Sequence, residues 1–254
     1  MIPALTALTG IAEAALTLGM VVFLRVGAAM AMMPAFGERS VPMRVRLALG
    51  LAFTLITAPA VLDRIPDLAP GIWLAGEVVI GLALGAVLRL FVIALQLAGA
   101  MAAQTVSLAQ IFGGEAADPQ PAIGHTMVIS GLALAVILGL HVKLVAFLVL
   151  SYDLLPAGQL PLPSDLMEWG VTRVARAFAL GFALAMPFVI TSLLYNLTLG
   201  VINRALPQLM VAFGGAPAIT LGGLALLALS IPLILQVWIQ AMDAFLLDPA
   251  GSVR

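Results

Sequence analysis

The chain has no cysteine, which removes disulfides, thiolate metal sites and cysteine nucleophiles together. Its two histidines, His125 and His141, are too few for a histidine-rich metal site. Charge is scarce as well. Only 9% of the 254 residues are Asp, Glu, Lys or Arg, against roughly 25% in soluble domains. Eleven Lys and Arg stand against twelve Asp and Glu, a net charge of −1, so there is no excess of cations for nucleic acid or other polyanions. The catalytic signatures are missing too: no HExxH, no GxSxG, no Walker-type glycine loop and no paired intramembrane aspartates. The expectation is a protein that is not an enzyme, with no cofactor and no metal. The opening Met-Ile-Pro-Ala-Leu-Thr lacks a basic stretch, so no cleaved signal peptide is expected.

What remains is apolar. Hydrophobic residues make up 63% of the chain and the mean hydropathy is +1.19, more apolar surface than a soluble fold could hide. Apolar runs fall at about 4–33, 45–62, 72–98, 122–150, 172–202 and 217–247. A helix needs ~20 residues to cross a ~30 Å hydrocarbon core, and the third and fourth runs exceed that. They must tilt, kink or extend beyond the bilayer. Barrel-type alternation is absent. The expected fold is all-α, a polytopic helical membrane protein of about six long helices.

Breaks separate the runs at Pro34–Pro42, Asp63–Pro70, Gly99–Gly124, Ser151–Gly170 and Asn203–Pro217. Arg39, Arg44 and Arg46 would place the first of these in the cytoplasm by the positive-inside rule, and Arg204 agrees, but Arg173 and Arg176 do not. Orientation therefore stays open.

Glu13, Arg25, Glu77 and Arg89 interrupt membrane-length runs, at ~3 kcal/mol each near a helix centre. Within one helix, the Glu and Arg lie ~18 Å apart along the axis and cannot pair. Either Arg25 or Arg89 meets a glutamate on a neighbouring helix, or the four side chains reach toward an interface. Gly81-Leu-Ala-Leu-Gly85 has the spacing that lets helix backbones approach closely in lipid. Lys143 and His141 read equally as interface or pore-lining groups.

The segment 99–124 is the longest break between the longest runs. It carries Met101, Gln104, Thr105, Ser107 and Gln110, then the apolar tip Ile111-Phe112, then Gly113-Gly114, and returns through Asp118-Pro119. An irregular polar segment is costly in lipid unless it faces protein or a water-filled cavity. The polar side chains could close hydrogen bonds across a shut pore. Met101, Ile111 and Phe112 could exclude water from it, as hydrophobic constrictions do. An ordinary connecting loop is the alternative from residues alone.

Several local patterns, in order along nearly the whole chain, resemble the export-gate family shared by flagella and type III secretion injectisomes. They are Arg25-Val-Gly27 with Pro34-Ala-Phe-Gly37 and Val41-Pro-Met-Arg-Val-Arg46; Glu77-Val-Val-Ile-Gly81-Leu-Ala-Leu-Gly85 leading to Gln96-Leu-Ala-Gly99; Asp118-Pro119; Ser151-Tyr-Asp-Leu-Leu-Pro-Ala-Gly158; and Gly200-Val-Ile-Asn-Arg-Ala-Leu-Pro-Gln208, continuing to Pro217. Ala212 stands where the family commonly has an aromatic, and Phe213 follows.

The resemblance implies one export-gate domain over 1–254. A FliP-like portion would cover 1–165, including the central loop 99–124, and a FliQ-like helical hairpin would cover 171–247. It implies assembly with FliP and FliQ subunits and an FlhB-type gate protein in the bacterial inner membrane at the flagellar basal body, raised out of the bilayer in the complex. The function implied is a subunit of the pore for unfolded secreted proteins, with loop 99–124 as plug and a second loop marked by Arg204, Pro207, Gln208 and Pro217. The competing expectation is a secondary transporter for a small solute, suggested by the intramembrane Glu and Arg residues and glycine-interrupted helices.

Overall fold

A computed structural model describes residues 2–66, 71, 73–106, 122–205 and 211–251. Among these the fold is entirely helical: α1 (Ile2–Met30), α2 (Met43–Ala60), a short 3₁₀ turn (Leu62–Arg64), α3 (Trp73–Val106), α4 (Ala122–Ile137), α5 (Leu140–Leu154), α6 (Pro163–Ala205) and α7 (Val211–Leu247). The segments Met43–Ala60, Trp73–Gln104, Pro163–Ile202 and Leu221–Leu247 are each long and apolar enough to cross a membrane. The pair α4–α5 makes a fifth if counted as one broken span. This is a polytopic helical membrane protein.

Three breaks differ from the sequence expectation. Helix α3 continues through Val106 and α4 starts at Ala122, so both ends of segment 99–124 are helical. Helix α6 starts at Pro163, with proline near the helix start, where it needs no N–H partner. Helix α7 starts at Val211 and takes Gly214, Gly215 and Pro217 inside it. The shared reason is the solvent: where water cannot satisfy a freed peptide group, a helix is held across residues that would end it in water. The fourth apolar run is the opposite case. It is cut between Ile137 and Leu140, where Gly139 takes φ +80° and the two stretches bend by 76°. That left-handed conformation favours glycine.

The chain forms two compact units. The first comprises Met1–Leu90, Ala135–Val174 and Met242–Arg254. Its core gathers Val22, Val26, Ile80, Leu88, Leu144 and Leu148, all fully buried. The Phe147 and Phe245 rings meet at 5.6 Å. Lys143 Nζ donates to both carboxylate oxygens of Asp243 at 2.7 Å, tying α5 to α7. Trp169 and Arg173, in the first turns of α6, both donate to the Pro249 carbonyl.

The second unit comprises Phe91–Leu134 and Ala175–Ala241. Its largest buried side chain is Trp238, whose Nε1 donates to the Phe91 carbonyl at 2.8 Å. A Cβ on Gly181 would lie 3.0 Å from the Ala94 carbonyl, and one on Gly131 2.6 Å from Leu95 Cδ1. Glycine thus lets α6 approach the α3 backbone and makes room on α4 for the Leu95 side chain, the close packing by which helices associate in lipid without a hydrophobic drive.

Candidate functional site

Helix α3 carries Glu77, Gly81, Gly85 and Arg89 at a constant spacing of four, which places all four along one ridge. That ridge lies against α1. A Cβ on Gly81 would strike the Arg25 carbonyl and come within 2.9 Å of Ala28 Cβ; one on Gly85 would strike the Ala29 carbonyl. At one end of the row, Arg25 Nε lies 2.7 Å from Glu77 Oε2. At the other, Arg89 pairs with Glu38 in the turn after α1. Partner numbers rise together on both elements, so α1 and α3 run in the same direction. The glycines bring the backbones into contact, and the charges at either end fix how far one helix can slide along the other.

The two ends are not equivalent. Side chains of the Arg89–Glu38 pair are a fifth to a quarter exposed. The Arg25–Glu77 pair is sealed: Arg25 and Glu77 are both 0% exposed. Isolated buried ions would each cost several kcal/mol in desolvation, and here the surroundings offset it. Arg25 Nη1 donates to the Ser151 carbonyl at 3.1 Å and Nη2 to the Leu155 carbonyl at 2.9 Å. The Tyr152 ring lies with its centroid 3.8 Å from Arg25 Cζ, a cation–π contact strengthened by the dry setting. Glu77 Oε1 accepts from the Gly158 N–H at 3.4 Å.

One guanidinium on α1 therefore caps the carbonyl end of α5. Its glutamate partner on α3 takes an N–H from the chain leaving α5. The fork geometry of arginine allows this: one planar cation reaches a carboxylate and two carbonyls at once. The segment Ser151–Gly158 is held at both ends by one ion pair. With both charges occupied by each other and by main-chain groups, neither is free to take a solute. No cluster of three or more metal-binding side chains exists among the described residues.

The turn joining α1 to α2 is tightly built. Gly37 N donates to the Met33 carbonyl at 2.7 Å, and a Cβ on Gly37 would meet Ala31 and Met30 main-chain oxygens at 2.7 and 2.9 Å. Ala35 takes φ +66°, a left-handed conformation that is unfavourable for a residue with a Cβ. This turn delivers Glu38 to Arg89.

At the ends of segment 99–124, α3 and α4 meet at Gly99 and Gly124. A Cβ on Gly99 would fall on the Gly124 main chain, whereas one on Gly124 would sit 3.5 Å from Gly99 C, an ordinary contact. Met101 is half-buried and Gln104 exposed, both on α3. Ser107, Gln110, Ile111, Phe112, Gly113, Gly114, Asp118 and Pro119 lie outside the described residues, as do Pro207 and Gln208. Arg204 is exposed near the end of α6, and Pro217 is within α7. Glu13 is on α1.

The family model described as "Bacterial export proteins, family 1" matches residues 16–245. The chain belongs to this family. Relatives of this export family include the flagellar biosynthetic protein FliR of Caulobacter vibrioides, 36% identical over 224 residues, which covers 85% of this chain and 89% of that protein. FliR of Escherichia coli is 32% identical over 216 residues, 83% of each chain. FliR of Bacillus subtilis is 26% identical over 209 residues, 78% of this chain and 80% of the relative. The match takes in every residue of the buried hub.

Some of that hub was not singled out in the sequence. Glu38, Asp243 and the acceptors Ser151 and Leu155 drew no attention as charge partners. The available signal was Ser151-Tyr-Asp153, three polar-tipped side chains closing an apolar helix ahead of Pro156-Ala-Gly158.

Proposed function

We propose that this chain is a non-catalytic subunit of the flagellar type III export gate, one of the subunits that form the secretion pore. The observation that carries the reading is the family match over residues 16–245, joined to relatives named as flagellar biosynthetic proteins over most of their length. Its partners are FliP, FliQ and an FlhB-type gate protein, its substrates unfolded secreted proteins, and its place the bacterial inner membrane at the flagellar basal body. Helices of 34, 43 and 37 residues measure ~50–65 Å, well beyond a ~30 Å core. That length supports a position partly lifted out of the bilayer. The 1–165 and 171–247 portions correspond to a FliP-like part and a FliQ-like hairpin, the latter being α6 and α7.

Segment 99–124 acts as a plug. Supporting this, both of its ends are helical and meet at Gly99 and Gly124. Its apolar tip, Ile111-Phe112, has the character of a hydrophobic constriction. Deleting Gln110–Gly114 is expected to raise small-ion leakage across the membrane while FliP and FliQ still co-purify with the chain. Unchanged conductance with normal assembly would overturn the plug, and failure to co-purify with those subunits in the intact chain would overturn the gate assignment.

A further inference from the structure

Helix α2 is an outer helix of the first unit. Gly50, Phe53, Thr54 and Thr57 face inward. On the other side Leu47, Leu51 and Leu55 are 54%, 48% and 75% exposed, in one row at spacing four with Ala48 and Ala52 beside them, also exposed. Eighteen residues make a helix of ~27 Å, close to the hydrocarbon thickness. This row is an exposed apolar strip of leucine ridges with alanine between them.

At the N-terminal end of that strip the chain places Arg39, Arg44 and Arg46, three of its eleven basic residues within eight positions. Arg39 and Arg44 are exposed and none of the three enters an ion pair with a described residue. Arg46 is anchored through Nε to the Val41 carbonyl at 3.0 Å, which leaves its two terminal nitrogens for a ligand. Glu38, the one acid between residues 38 and 46, is already engaged by Arg89. The first turn of α2 holds no acidic residue and no side-chain cap, so two arginines sit at the positive end of a helix dipole, where cations are unfavourable. Among the described residues, no acid relieves this local charge.

We propose that this end of α2 is a binding site for an anionic phospholipid. The three guanidinium groups take the headgroup phosphate, and one acyl chain lies along Leu47, Leu51 and Leu55. The choice of a lipid over an acidic protein segment rests on continuity: the cationic cluster opens directly onto an apolar strip that runs ~12 Å along the helix, most of the depth of one ~15 Å leaflet. Juxtamembrane arginines gain from anionic headgroups by about fivefold in affinity each. Two exposed and one half-buried arginine therefore favour phosphatidylglycerol over phosphatidylcholine by at least tenfold.

The test uses the full chain extracted in detergent together with whatever subunits co-purify. It is titrated with phosphatidylglycerol, phosphatidylcholine or glycerol phosphate, and bound lipid is counted by native mass spectrometry. Phosphatidylglycerol is expected to bind at least tenfold more tightly than phosphatidylcholine, the preference fading from 50 to 500 mM salt, with glycerol phosphate alone not retained. R39Q/R44Q/R46Q is expected to lose the preference, R39K/R44K/R46K to keep most of it, and R204Q to leave it unchanged. Equal affinity for the two lipids, a salt-independent preference, or an undiminished preference in the glutamine variant would overturn the site. So would retention of glycerol phosphate as tightly as the whole lipid. Salt dependence is read on the unaltered chain, so a glutamine variant that failed to fold would still leave the proposal open to refutation.

Discussion

Replacing Arg25 by methionine removes, in one step, the 2.7 Å contact to Glu77 and the bonds to the Ser151 and Leu155 carbonyls. Glu77 is left fully buried with only the 3.4 Å bond from Gly158. Breaking a buried pair from one side costs ~3–5 kcal/mol, most of it the stranded charge. The Leu155 carbonyl loses its donor, for about 1 kcal/mol more. Glu77→Met strands the guanidinium but leaves it two carbonyls and the Tyr152 ring, so its expected cost is at the lower end, ~3 kcal/mol. In R25M/E77M no charge is buried, and the double variant should lose only ~2–4 kcal/mol, well short of the sum of the singles. Arg25→Lys keeps the charge without the fork and should cost ~1–3 kcal/mol. The assay is reversible denaturant unfolding of the detergent-extracted full chain, with the double-mutant cycle as readout. Additivity of the two single losses within ~0.5 kcal/mol would mean the residues do not interact, and the hub would be refuted.

Two further expectations follow from close approaches. Gly99→Ala puts a Cβ on the Gly124 main chain and should cost ~1–3 kcal/mol by overpacking, whereas Gly124→Ala meets only ordinary contacts and should cost less than ~1 kcal/mol; equal losses in unfolding would contradict the asymmetry. Ala35→Gly relieves a residue at φ +66° and should stabilise by ~0.5–1 kcal/mol after the added freedom of the unfolded chain is counted, a gain that the same unfolding assay would show absent if the turn were relaxed.

The helices were legible because their signal is local. Runs of apolar residues bounded by proline, glycine and charge gave six segments, and the structure divides one of them at Gly139. That division could not be read from composition, since the chain has 24 glycines and the positive φ that Gly139 shares with Gly158 and Gly251 is visible only in the structure. The ends of breaks were read too wide, at Gly99–Val106 and Val211–Pro217, by applying to a membrane chain the breaking power glycine and proline have in water. At the site, the spacing of Glu77, Gly81, Gly85 and Arg89 was fully present in the sequence and implies one face. What that face meets was not, because Arg25, Glu38, Ser151 and Leu155 are remote in sequence and nothing local links them to α3. Segment 99–124 has its centre in residues 107–121, outside the described residues, and its arms meet at Gly99 and Gly124.

Scarcity explains how the few charges are used. In lipid, apolar side chains gain little from leaving hydrocarbon for one another, so apolar packing alone selects weakly among registers. A charge, by contrast, is tolerated only where its partner is. Arg25 with Glu77, Arg89 with Glu38, Lys143 with Asp243 and Arg64 with Asp153 each join segments far apart in sequence. The first three pairs are wholly or largely shielded; the last, at 37% and 50% exposure, should contribute little. A misregistered α1–α3 pairing by one turn would separate Arg25 from Glu77 by ~5 Å along the axis and strand both at once. The same step would bring Glu77 or Arg89 onto a carbonyl that a glycine now faces and where a Cβ does not fit. Charge and glycine thus select the same alignment independently, and this redundancy lets two helices of almost uniform hydrophobicity find one register. Arg39, Arg44 and Arg46, grouped with no anionic partner among the described residues, depart from that pattern, which is why their counter-charge is sought outside the chain.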